Sequence, residues 1–119
     1  MLQLALLVDD VVVKFFPLDK PLITIGRHQG NDIQIDDARV SARHAQIRIE
    51  PSEQLQSRDD ILLEDLGSTN GTSVNGDQVD HCELRANDVI TVVDTRFKLL
   101  DTGRAGITTT VPDLKFRPS

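Results

Sequence analysis

The chain has 119 residues, the size of a single domain, and 39% of them are apolar. Its formal net charge of −6, from 13 basic and 19 acidic residues, would repel a nucleic-acid backbone over most of the surface. With no Trp, no Tyr and only four Phe, base-stacking platforms are scarce, so no nucleic-acid partner is expected and any bound anion needs a small local cluster of positive charge.

In chain order, Leu2, Leu4, Leu6 and Val8 open a period-two apolar pattern. No run approaches the ~18 apolar residues of a membrane-spanning helix. The opening stretch lacks a basic n-region and is interrupted by Asp9 and Asp10, so neither a membrane partner nor a signal peptide is expected and the cytoplasm is the default compartment. Val11, Val13 and Phe15 repeat the alternation, followed by Ile23 and Ile25, Ile33 and Ile35, then Ala45, Ile47 and Ile49. Ile61 and Leu63, Val79, Val89 to Val93, and Phe97 with Leu99 complete it. Short alternating segments rich in β-branched residues read as half-buried strands. The intervening stretches are turn chemistry: Asp9-Asp10, Pro17 to Pro21, Gly30-Asn31-Asp32, Pro51 to Asp60, and Ala86-Asn87-Asp88. Gln54 to Arg58 reads as loop rather than helix. The expected fold is all-β, a two-sheet β-sandwich of about ten to eleven short strands.

The sandwich is expected over residues 1–101. Residues 102–119 read as a partly flexible C-terminal tail, broken by Gly103, Gly106, Pro112 and Pro118. The tail carries Arg104, Lys115 and Arg117 against Asp113, a balance of 3 − 1 = +2, which leaves −6 − 2 = −8 on the rest. Leu114 or Phe116 could dock on the sandwich. Cys82 is the only cysteine, which excludes an internal disulfide and a cysteine metal cluster. A His81-Cys82 dyad is disfavoured because neighbours on a strand point to opposite faces. No metal and no cofactor are expected.

Three clusters carry unusual polar residues: Gly26-Arg27-His28, the run from Arg39 to Ala45, and the stretch GSTNGTSVNG at 67–76. Strand-end loops of a sandwich can gather at one edge on a rigid support. Together they offer the guanidinium groups of Arg27, Arg39 and Arg43, the hydroxyls of Ser41 and Thr69, and the amide of Asn70. A phosphate monoester carries about −1.5 to −2 charge and three strong acceptor oxygens. Arg answers both needs with a planar fork. The bland alternatives are a surface Arg27 paired with Asp36 or Asp37, and Ser41, Thr69 and Asn70 serving only their own turns.

Gly26-Arg27, Ser41-x-x-His44, Ser68-Thr69-Asn70-Gly71-Thr72 and Asn75-Gly76, in this order and spacing, resemble the forkhead-associated (FHA) domain signature. The resemblance spans roughly Leu4 to Asp101. It implies a sandwich of SMAD/FHA type that binds phosphothreonine peptides through loops at one end, as an adaptor in Ser/Thr kinase signalling. It implies that Arg27, Ser41 and Thr69 contact the phosphate and that Asn70 holds the peptide backbone. Arg39 falls where the family often reads the side chain three residues after the phosphothreonine, favouring Asp or Glu. Arg43 and His28 are further candidates to touch the peptide. Gly26, His44, Gly71, Asn75 and Gly76 are implied to be structural, His44 bracing the loops and the Asn-Gly pairs shaping turns.

One departure is Ala42, where many relatives carry Asn or Arg. Loss of such a donor, worth ~1.5–3 kcal/mol, implies affinity of about 1–100 μM. No catalytic role is expected: Ser41 and His44 lack an evident orienting acid, and the Gly-rich stretch has no P-loop lysine. The rival reading is a phosphate-independent interaction scaffold of the same fold. The tail adds one more expectation: phosphorylated Thr110, with Asp113 three residues on, as a ligand of its own or a neighbouring chain.

Overall fold

A computed structural model describes residues 2–50 and 60–101. Eleven strands form in chain order: β1 (Leu2–Val8), β2 (Val11–Pro17), β3 (Leu22–Gly26), β4 (Ile33–Gln34), β5 (Ala45–Glu50) and β6 (Asp60–Asp65). They continue with β7 (Thr72–Val74), β8 (Asp77–Val79), β9 (His81–Glu83), β10 (Val89–Val92) and β11 (Thr95–Asp101). Six make one sheet, in the order β2-β1-β11-β10-β7-β8, and five make the other, in the order β4-β3-β5-β6-β9. This is the all-β sandwich expected from the alternation. The loop expected over Gln54 to Arg58 and the tail from Thr102 to Ser119 lie outside the described residues.

The pairing register explains the core. In the five-stranded sheet Ile23, Ile47 and Leu63 stand directly across from one another. In the six-stranded sheet Leu6, Phe97, Ile90 and Val74 form the matching row. Successive side chains alternate between faces, so each row faces the opposite sheet while its neighbours face out. Ile47, Leu63, Ile90, Leu99 and Leu4 are fully buried. The Phe16 ring meets Phe97 edge-on, with centroids 6.0 Å apart and planes at 70°.

One expected half-buried strand is not half-buried. In β2, Phe16 stands across from Leu4 and packs on the core, which turns Phe15 outward at 52% exposure. Val11 and Val13 are exposed as well. β2 is an edge strand of the six-stranded sheet, and a register shift opposite Leu6/Leu7 makes it irregular. The alternation was real, but only one residue of this edge strand reaches the core.

Two hairpins close on two-residue turns with both residues in the left-handed region: Asp9-Asp10 (φ 52° and 65°) and Asn75-Gly76 (φ 53° and 93°). Such turns match the twist of the strands they join. The chain crosses from the five-stranded to the six-stranded sheet between β6 and β7, along residues 66–71. That crossing places the third polar cluster against the other two.

Candidate functional site

Three loops meet at one edge: residues 27–32 after β3, residues 35–44 before β5, and the crossing 66–71. Backbone bonds stitch the first two. Arg27 N–H donates to Ser41 O (3.0 Å), His28 N–H to Ala42 O (3.2 Å), and His44 N–H to Ile25 O (2.9 Å). Asn31 Nδ2 bridges His28 O and Ala42 O, at 2.8 Å each. This proximity needs glycine at 26, because a Cβ there would stand 2.3 Å from the Ala42 carbonyl oxygen.

The crossing loop is tied on by side chains. Ser41 Oγ accepts the Thr69 N–H at 3.1 Å, and Asn70 Nδ2 donates to Arg39 O at 2.7 Å. His44 is completely buried. Its Nδ1 accepts the Ser41 N–H at 3.1 Å, so its proton lies on Nε2, which donates to Gly71 O at 2.8 Å. Gly71 itself is in the left-handed region (φ 86°), whereas Asn70 is not. The two Asn-Gly pairs are therefore different structures. Asn75 also pins β10, donating to Asp88 Oδ1 and accepting the Val89 N–H.

Beneath the crossing loop lies a residue that the sequence reading left out. Asp65 accepts from the Ser68 hydroxyl (2.6 Å), the Thr72 hydroxyl (2.7 Å) and the N–H groups of Gly67 and Ser68 (3.0 Å each). Burial pushes its carboxyl up, but the Ser68 and Thr72 donors outweigh that, and it sits below the ordinary carboxylate value. Ser68 Oγ passes the support on by accepting the Gly71 N–H at 2.9 Å. Asp three residues ahead of Ser is a local turn signature, so this signal was present in the sequence.

The groups left facing solvent set what the edge can bind. Arg27 is exposed; its Nε donates to Val40 O at 3.1 Å, and its terminal nitrogens have no partner among the described residues. Neither Asp36 nor Asp37 pairs with it. The Ser41 hydroxyl accepts from Thr69 and keeps its own proton to donate. The Thr69 hydroxyl and the Arg43 guanidinium are exposed and have no partner among the described residues. Asn70 retains Oδ1 and its second N–H. His28 Nδ1 accepts the Gly30 N–H at 2.9 Å, which turns the ring toward its own loop.

Arg39 is in a different state. Its Nε and Nη2 grip Asp37 at 3.1 and 2.8 Å, and Nη2 also reaches Asp94 at 2.7 Å. Asp37 and then Asp94 raise the guanidinium pKa, while Arg39 holds the Asp37 carboxyl low. One cation between two carboxylates leaves a local charge of −1. Asp94 is 55 positions away in sequence, so no local pattern announces this pairing.

Burial, then Asp88, push the Cys82 thiol up, away from the reactive thiolate. Cys82 is half-buried and His81 exposed. Among the described residues, no group of three or more His, Cys, Asp or Glu side chains is placed to hold a metal ion.

The FHA domain family matches residues 23–93, more than half of the chain and all three loops. The chain belongs to the FHA domain family. It is 39% identical over 85 residues to the glycogen accumulation regulator GarA of Mycolicibacterium smegmatis, which covers 71% of this chain and 49% of GarA. It is also 39% identical over 85 residues to the oxoglutarate dehydrogenase inhibitor of Corynebacterium efficiens, covering 71% of this chain and 55% of that protein. The chain thus spans about half the length of these curated relatives. Among solved structures, an FHA domain described as making phosphothreonine-dependent interactions superposes with a TM-score of 0.66 at 32% identity, covering 83% of this chain and 96% of that one. β1 and β11, which pair along their length, lie outside the matched stretch.

Proposed function

We propose that this FHA domain reads phosphothreonine in partner proteins and acts as an adaptor in Ser/Thr kinase signalling. The observation that carries the reading is the loop edge itself. Among the described residues it holds the unpartnered terminal nitrogens of Arg27, the free proton of the Ser41 hydroxyl and an unpartnered Thr69 hydroxyl, on loops fixed to one another by His44, Asn31 and Asn70. A phosphate dianion takes donors and positive charge from several sides, and a pre-fixed set loses little entropy on binding it. Asn70 would use Oδ1 and its second N–H on the peptide backbone, with Arg43 and His28 alongside. The similarity to a phosphothreonine-dependent FHA domain supports the same reading.

The reading is of a binder without catalysis. Both ring nitrogens of His44 are committed to backbone groups, so His44 cannot serve Ser41 as a base. The working module is residues 1–101, with 102–119 as an appendage, in the cytoplasm. No helix among the described residues is long and apolar enough to cross a membrane. The appendage also supplies a candidate ligand of its own, phosphorylated Thr110.

Titration of one peptide in threonine-phosphorylated, serine-phosphorylated and unmodified forms tests the proposal, with Arg27→Ala as the control. The phosphothreonine form should bind at about 1–100 μM. It should exceed the phosphoserine form by the burial of one methyl, ~0.8 kcal/mol. Arg27→Ala should remove the preference for phosphate. Equal affinity for phosphorylated and unmodified peptide would instead establish a phosphate-independent scaffold. Two observations favour that rival: Ala42 is exposed without a donor, and Arg39 is held by carboxylates.

A further inference from the structure

A second concave surface lies between the end of β1, the segment after β4 and the β10–β11 turn, a cavity of about 370 Å³. That volume falls in the ~300–1,000 Å³ range of ligand pockets. Its floor includes Leu6, Phe16 and Ile35, and its rim carries Asp36, Asp37 and Asp94. Arg39 neutralises part of the rim through Asp37 and Asp94, so three carboxylates against one guanidinium leave two negative charges. The Asp36 carboxylate has no partner among the described residues. An apolar floor under an acidic rim fits an extended segment that alternates apolar and basic side chains.

Residues 102–119 contain such a segment. Leu114-Lys115-Phe116-Arg117 alternates in that way, and it lies in the +2 portion that follows a body of −8. We infer that residues 114–117 of this chain dock in the groove, with Leu114 and Phe116 on the floor and Lys115 and Arg117 against the acidic rim.

The reach is sufficient. β11 starts at the groove with Thr95 and ends at Asp101, so the chain leaves the sandwich about one strand length away, roughly 20 Å. Residues 102–113 can span up to ~40 Å when extended. Tethering converts weak docking into an intramolecular event at high effective concentration. Opposite charges on an exposed rim make it sensitive to salt. The inference does not rest on the phosphothreonine reading, because the groove and segment meet without phosphate.

The test uses the full-length, isotope-labelled chain without any peptide, comparing amide NMR spectra. Phe116→Asp should shift the amides of Leu7, Asp36 and Thr95 and leave Gln78, on β8, unmoved. Asp36→Lys should produce the same released pattern. The pair Asp36→Lys with Lys115→Glu should return the Leu7 and Thr95 amides toward their original positions, which a merely misfolded variant would not do. High salt should move the wild-type spectrum toward that of Phe116→Asp. Identical groove shifts in wild type and Phe116→Asp would overturn the inference. So would shifts that depend on protein concentration together with a dimer mass, which would make the occupant a second copy.

Discussion

His44 donates from Nε2 to the carbonyl of Gly71 at 2.8 Å, across 27 positions of sequence. The bond fastens the loop that leads into the five-stranded sheet to the crossing that leads into the six-stranded one. Its other nitrogen accepts the Ser41 N–H, so one buried ring holds both sides of the loop edge.

His44→Phe keeps a ring of similar size but strips both bonds. Leaving the Ser41 N–H and the Gly71 carbonyl without a partner costs ~1–3 kcal/mol each. Urea unfolding should show a loss of about 2–6 kcal/mol. The variant that remains folded should bind the phosphothreonine peptide more weakly, because Ser41 is no longer oriented.

Gly26→Ala tests the contact between the first two loops. The new Cβ would meet the Ala42 carbonyl oxygen at 2.3 Å, and a backbone atom cannot move aside as a side chain can. Overpacking of this kind costs about 1–3 kcal/mol. Thermal unfolding measures that cost, and a phosphopeptide titration should show a parallel drop as the Arg27–Ser41 bond opens.

Arg39 should respond to its carboxylates rather than act alone. Asp94→Asn removes one of them and frees part of the fork for a ligand. Exposed ion pairs such as this are weak. The ratio of affinities for peptides with Asp against Ala three residues after the phosphothreonine should therefore rise about two- to fivefold. An unchanged ratio would show that Arg39 does not reach that side chain.

Asp65 should make the edge sensitive to acid. Its folded pKa is lowered, so its contribution to stability is fully present above the ordinary value of 3.8 and is lost as the pH falls through the lower folded value. Asp32, Asp37 and Glu64, also lowered, act in the same direction. Measured wild-type stability should therefore stay level from neutral pH down to the ordinary carboxylate values of 3.8 to 4.5 and fall only below them. Asp65→Asn should be less stable at neutral pH by about 2 kcal/mol, from mismatched donors, and should show a shallower acid slope.

The sandwich was legible because period-two alternation has a direct physical cause: one face of each strand is buried. The phase was not legible where cover runs out. Val11, Val13 and Phe15 alternate as well as Ile23 and Ile25 do, but only position in the sheet order reveals that β2 lies at an edge. The same division holds at the loops. Arg27, Ser41, Thr69 and Asn70 stand in short motifs whose chemistry can be read locally. The pairing of Arg39 with Asp94 depends on the β10–β11 turn folding beside a loop distant in sequence. Asp65 is legible locally too, since its hydroxyl donors Ser68 and Thr72 follow within seven residues.

The crossing between β6 and β7 has one more consequence. A molecule that grips Arg27 and Ser41 on one side and Thr69 and Asn70 on the other clamps the seam between the two layers. Unfolding must then first evict it, so the melting temperature should climb with the logarithm of its concentration. Heat resistance in a crude mixture becomes a gauge of occupancy, and a way to fish for the natural ligand without knowing its name.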